Sequence, residues 1–195
     1  ARSIKRCIGR WFTDPAVKQS MREHAFALEP GNGNNQLEDV YVNFGPNSDG
    51  ITQRLSAPQI SALILEKLCE DAANKLKLER KDLSHAIITV PAYFNSLQRD
   101  ATRLAGKLAK LEVVNIINEP TAAALAYRTE VLQKGTRKRI MVYDLGGGTF
   151  DIAILEAEED DLGYVFNTLV VDGNMRLGGD DIDQAVLNWL LDQID

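Results

Sequence analysis

The 195-residue sequence predicts an α/β protein in which a small antiparallel sheet comes first and parallel strands covered by helices follow. Three observations lead there. The stretches "AFALE", "LEDVYVNF" and "GITQRL" are separated by "PGNGNN" and "GPNSDG", whose Gly, Asn and Pro supply turns between antiparallel strands. From residue 86 the rhythm changes. "AIITV" and "VVNII" are short, evenly apolar and separated by an amphipathic stretch, as buried parallel strands with a helical crossover are. Then "RIMVYDLG", "TFDIAILEAE" and "YVFNTLVVD" follow at close spacing and lead into a helix, a β-β-β-α order.

The helices carry their own start signals. "TDPAVKQSMREHA" offers Thr13 or Asp14 as a cap and Pro15 in the first turn of a short helix. Ser56 with Gln59 makes a capping-box pattern, after which Ile60, Leu63, Ile64, Leu68 and Ala72 repeat on one face of a long helix. A helix is expected from Ser96 to Lys110, another is opened by Pro120, and a last one runs from Asp181 to Ile194. The basic cluster "KGTRKR", residues 134–139, reads as a solvated connector between helix and strand.

With 45% apolar and 26% charged residues, the composition is that of a soluble globular protein, and no apolar run approaches the length of a bilayer span. A net charge of -6 argues against a non-specific grip on nucleic acid or anionic membrane, either of which needs a clustered positive surface. Cys7 and Cys69 lie far apart, which suggests neither a disulfide framework nor a zinc site. His24 and His85 likewise lack partners at metal-ligand spacing. The opening "ARSIKRCIGRWF", without an initiator methionine, reads like the middle of a longer chain.

The most informative stretch is "VYDLGGGTFDIAIL", residues 142–155. A P-loop or a dinucleotide-binding turn needs a helix after its glycines, and the P-loop also needs a Lys before Ser or Thr. Here Phe150, Ile152 and Ile154 alternate with Thr149, Asp151 and Ala153, so a strand follows and the glycines make a hairpin turn. Glycine lets backbone amides turn inward through torsions that other residues avoid, and lets a ligand approach with no Cβ in the way. Asp144, Thr149 and Asp151 converge on the turn, where the carboxylates could hold a magnesium ion against a nucleotide's phosphates. The alternative is an ordinary hairpin with polar ends.

A second cluster is "NIINEPTAAALAY". Glu119 stands where a strand gives way to a helix, the end at which α/β sheets bind ligands. It reads either as a favourable charge at a helix start or as a carboxylate near a metal.

Together "VYDLGGGTFDIAIL", "IINEPTAAALAY", "ITVPAYFNSLQRDAT" and "IKRCIGR" closely resemble the nucleotide-binding domain of the heat shock protein 70 (DnaK-type) chaperone family, over nearly the whole chain. The resemblance implies the actin-like, sugar-kinase-like ATPase fold (ribonuclease H-like), with two lobes around a nucleotide cleft. It implies a chaperone domain that binds ATP or ADP with magnesium, hydrolyses ATP, and couples nucleotide state to binding and release of unfolded client peptides. Gly146, Gly147, Gly148 and Thr149 then resemble the second phosphate loop, and Asp144 and Asp151 the acidic residues around magnesium, potassium and the attacking water. Glu119 resembles the carboxylate that reaches magnesium through water, and Lys5 the catalytic lysine. Pro91 and Arg99 resemble the relay to the substrate-binding domain. Implied partners are a J-domain co-chaperone and a nucleotide-exchange factor, in the cytoplasm, without nucleic acid or membrane.

The resemblance assigns residues 1–57 to the outer part of lobe I, 58–138 to its core and 139–195 to the start of lobe II. The family's first phosphate loop is expected before residue 1 and its adenine-binding helix after residue 195. The expected ATPase activity therefore belongs to the intact domain, and the isolated chain is expected to be inactive. The sequence departs from the family at Cys7, at Arg128, and at Met175 and Arg176. Alternatives within reach of the same motifs are a sugar kinase or another actin-fold phosphotransferase, and a non-hydrolysing member acting as a binding module or exchange partner.

Overall fold

The computed structural model describes residues 4–23, 26–32, 34–127, 136–160 and 163–194. His24, Arg128 and the first two residues of the basic cluster lie outside the described residues. The chain divides into two units, Ala1–Ile88 with Phe94–Ile116, and Thr89–Tyr93 with Ile117–Asp195. It is a mixed α/β protein, and among the described residues no helix is long and apolar enough to cross a membrane.

The first unit opens with a 3₁₀ turn, Ile4–Cys7, and helix α1, Pro15–Glu23. Asp14 caps α1. One of its carboxylate oxygens accepts from the Ala16 amide at 2.8 Å, and the other takes Arg10 Nη1 at 2.9 Å. Trp11, in the link between these elements, is partly exposed. Strands β1 (Ala27–Pro30), β2 (Val40–Pro46) and β3 (Thr52–Ser56) form an antiparallel sheet in that order. Contrary to expectation, "LED" does not begin β2. The Asn35 side chain accepts from the Leu37 amide and winds Gln36–Glu38 into a 3₁₀ turn, a local bond that competes with strand pairing.

Both halves of the Ser56–Gln59 capping box are present at the start of α2, Ala57–Leu76. The Ser56 amide donates to Gln59 Oε1 at 2.8 Å, and the Gln59 amide to Ser56 Oγ at 3.4 Å. The buried face of this helix differs from the expected one. Ile60 is buried, but Leu63, Ile64 and Leu68 are more than half exposed, and the packed line runs through Ala62, Leu65, Cys69 and Ala73.

The reason is helix packing. α3, Ser96–Leu108, lies against α2, and just past its end Ala109 and Leu111 meet Ala62 in a cluster joined by Leu65, Cys69 and Ala86. Small side chains let two helices approach closely, so the larger residues of α2 are left outside the contact. The end of α3 comes two residues earlier than expected, and the chain then turns through Lys110 at φ 58°.

β4 (His85–Val90) and β5 (Glu112–Asn118) form a two-stranded sheet. They begin side by side, with the Glu112 amide donating to the Ser84 carbonyl at 2.7 Å. α3 approaches them at Gly106, where an added Cβ would collide with Val113 Cγ2 and come within 3.1 Å of Ile88 Cδ1.

In the second unit, α4 (Glu119–Ala126) packs across β6 (Arg137–Leu145), β7 (Phe150–Asp160) and β8 (Gly163–Asn174). The three strands form an antiparallel sheet in the order β6-β7-β8, and α5, Gly179–Asp192, follows. Ala153, Leu155 and Ala157 are buried on one face of the sheet, while Met141, Tyr143 and Val170 are exposed on the other. The basic cluster is more than a connector, because Arg137, Lys138 and Arg139 belong to β6, and Arg137 Nη2 meets Glu158 Oε2 at 2.9 Å. Trp189 on α5 is 60% exposed.

The closeness of α3 to the strands gives a test. Gly106→Ala is expected to destabilise the chain by about 1–3 kcal/mol through overpacking against Val113, read as a lower urea midpoint. An unchanged midpoint would mean that the helix can back away from the sheet without cost.

Candidate functional site

β6 and β7 pair without interruption from Arg137↔Glu158 to Leu145↔Phe150. That register sets Asp144 directly opposite Asp151, one pair before the turn, and residues opposed across strands share a face. Asp144 is exposed, whereas Asp151 is only 6% exposed and continues the buried line of Ala153, Leu155 and Ala157. The Gly146 amide donates to the Thr149 carbonyl at 2.9 Å and closes the four-residue turn 146–149.

Gly146 and Gly147 are not there for unusual torsions. Neither Gly146 nor Gly147 has a positive φ of the kind that excludes other residues, so that part of the expectation is corrected. Among the described residues, a Cβ at Gly146 would touch only the Thr149 carbonyl at an ordinary 3.5 Å, and one at Gly147 would meet nothing within 4 Å. The absent side chain at Gly147 leaves open space over the turn.

The other side of the turn is occupied by the start of α5. The amides of Gly179 and Asp180 donate to the carbonyls of Gly146 and Gly147 at 3.0 and 2.8 Å. The Gly178 amide is held by Asp181 Oδ2 at 2.9 Å. A Cβ at Gly178 would lie 2.5 Å from Gly148 N and 2.6 Å from the Gly147 carbonyl. Nothing in the sequence reading singled out these residues. The available signal was a Gly-Gly-Asp-Asp run opening a helix where Ser, Thr or Asn is the commoner cap.

The remaining candidates are placed as follows. Glu119 is the first residue of α4 and half-buried, in the same unit as the hairpin. Pro91, also in that unit, is fully buried just after β4. Lys5 and Arg99 belong to the first unit. Lys5 is exposed on the 3₁₀ turn, while Arg99 Nε donates to the Phe94 carbonyl at 3.0 Å. One hairpin therefore brings together Asp144, Gly146, Gly147, Gly148, Thr149 and Asp151. Among the described residues, no three His, Cys, Asp or Glu side chains gather closely enough to hold a metal ion by themselves.

A family model described as Hsp70 protein matches residues 1–195. The chaperone protein DnaK of Buchnera aphidicola subsp. Schizaphis graminum is 43% identical over 192 residues, covering 98% of this chain. The chain spans 28% of that relative's length.

Gly173, the cross-strand partner of Asp151 on β8, has no room for a side chain, since its Cβ would collide with the Phe150 carbonyl oxygen. Gly173→Ala is expected to loosen the sheet beside the turn at a cost above about 1 kcal/mol. Amide hydrogen exchange should show it as faster exchange at residues 150–152 and 172–174, with the far end of the sheet unaffected.

Proposed function

Since the chain belongs to the Hsp70 family, we propose that its glycine hairpin is the part of an ATP site that receives phosphate oxygens. The surrounding domain hydrolyses ATP and belongs to a chaperone whose nucleotide state governs binding and release of unfolded peptides. One observation carries the reading at the site: among the described residues nothing requires a glycine at Gly147, and the space where its side chain would stand is open. A phosphate can approach the backbone there more closely than a residue bearing a side chain would allow.

The donor set suits magnesium. Asp144 and Asp151 supply two carboxylates from one face of the hairpin. With no third close ligand among the described residues, the rest of the shell falls to phosphate and water, as magnesium prefers. Charge neutralisation on the phosphates is the chemistry that magnesium supplies when bound. Potassium is assigned to the same acidic neighbourhood. In this reading the Thr149 hydroxyl orients the attacking water, Asp144 accepts its proton, and Glu119 reaches the metal through water. Lys5 places positive charge where negative charge develops in transfer. Pro91 and Arg99 act as the relay to a peptide-binding domain.

The architecture that goes with this is the two-lobed actin-like fold, with residues 1–57 and 58–138 in lobe I and 139–195 opening lobe II. A J-domain co-chaperone and a nucleotide-exchange factor are the partners, in the cytoplasm. The 43% identity to a DnaK favours this reading over a sugar kinase.

The test uses the isotope-labelled chain and Mg-ADP followed by amide chemical shifts. Shifts are expected to be centred on residues 144–151 and to saturate. Gly147→Ala should change folding stability by less than about 1 kcal/mol, since the site has room for a methyl group. It should nonetheless weaken Mg-ADP binding by at least about tenfold, because the methyl takes the phosphate's place. No shifts at the hairpin, or equal binding by the variant, would overturn the reading.

A further inference from the structure

We infer that Gly178 is a positioning residue for the glycine hairpin: by carrying no side chain, it lets the first turn of α5 take the hairpin's carbonyls and so fixes the direction of its amides. The inference rests on the phosphate reading of that hairpin. In a trans peptide the carbonyl of one residue and the N–H of the next point in opposite directions, and the described residues contain no cis bond. The Gly146 and Gly147 carbonyls are directed at the amides of Gly179 and Asp180. The N–H groups of Gly147 and Gly148 are consequently turned away from those two amides. A turn with unheld carbonyls could rotate these planes at little cost, because glycine restricts them least of all residues. Two hydrogen bonds from a helix start remove that freedom, and preorganised donors bind an anion without first being ordered.

Why the residue must be glycine follows from space, not torsion. Gly178 has φ -165° and ψ -173°, an extended conformation open to any residue. Its Cβ position, however, falls 2.5–2.6 Å from Gly148 N and from the carbonyl carbon and oxygen of Gly147, all backbone atoms that cannot swing aside. A side chain here would push the turn and α5 apart and break both hydrogen bonds. The neighbouring Gly179 is different, since its Cβ would stand 3.6 Å from Gly147 Cα, an ordinary contact. Asp181 completes the arrangement by fixing the Gly178 amide through Oδ2.

Two variants reach this contact by different routes. Gly178→Ala inserts an atom into it, and Asp181→Ala releases the Gly178 amide without adding one. Each is measured for Mg-ADP affinity by amide shifts, for hydrogen exchange at Gly179 and Asp180, and for its urea midpoint. Gly178→Ala is expected to weaken Mg-ADP by at least about tenfold and to speed exchange at both amides by a similar factor. Asp181→Ala should do the same to a smaller extent, about threefold, with little change in midpoint. A merely structural role would lower the midpoint and leave the affinity of the folded fraction unchanged. Wild-type affinity in folded Gly178→Ala overturns the inference while leaving the phosphate reading intact. If Gly178→Ala does not fold, Asp181→Ala decides, and an affinity and exchange pattern like wild type's overturns it. Absence of any hairpin response in the wild-type chain would remove the phosphate reading itself, and this role with it.

Discussion

The register between β6 and β7 is the constraint on which the second unit depends. Side chains alternate across a strand with a period of two, so a slip of one residue would carry Asp151 to the open face and bring Ile152 into the buried line. What holds the register can be ranked. Arg137 pairs with Glu156 and Glu158 at the far end, but it is 62% exposed there, and ion pairs so exposed to water add little. Ala153, Leu155 and Ala157 are almost wholly buried, and a fully buried Leu alone is worth about 1.5–3 kcal/mol. Burial on that face therefore decides where the turn falls and which carboxylate faces which.

Glycines in this chain answer to two opposite demands. At Gly106, Gly173 and Gly178 the protein's own atoms leave no place for a methyl group, so glycine is a condition of packing. At Gly147 nothing among the described residues asks for it. A residue that weakens a turn by its conformational freedom, with no tighter internal packing to offset that, points to something outside the chain that needs the room. The two kinds sit back to back, Gly178 closing one side of the turn and Gly147 leaving the other open.

Much of this was legible in the sequence because it is local. The Ser56–Gln59 box, the Asp14 cap and the helix start at Pro120 are decided by atoms within a few residues, and so is the hairpin that opposes Asp144 to Asp151. The buried side of α2 was not, because apolar periodicity marks the largest residues while the positions buried past the first turn are the small Ala62 and Ala73. The start of β2 was missed because one Asn35 side chain outweighed the strand pattern of Leu37 to Asp39. At the site, the carboxylates and glycines could be read from their spacing. The hold of α5 on the turn could not, since it joins residues more than thirty positions apart through backbone atoms, which every residue shares. Lys5 and Arg99 have no local signal at all, and only resemblance to a family singles them out.

The chain's two tryptophans fall one in each unit, Trp11 beside the start of α1 and Trp189 on α5. Each unit thus carries a single indole, which can be excited apart from the chain's five tyrosines at the red edge of the absorption. With Trp11→Phe or Trp189→Phe, the selectively excited tryptophan emission would report one unit at a time, so that cooperative and stepwise loss of structure can be told apart optically without any added label. Trp189, on the helix whose first turn grips the hairpin, is also the more solvent-facing of the two. Collisional quenching by iodide should therefore act on it more strongly and give the second unit a distinct optical signature.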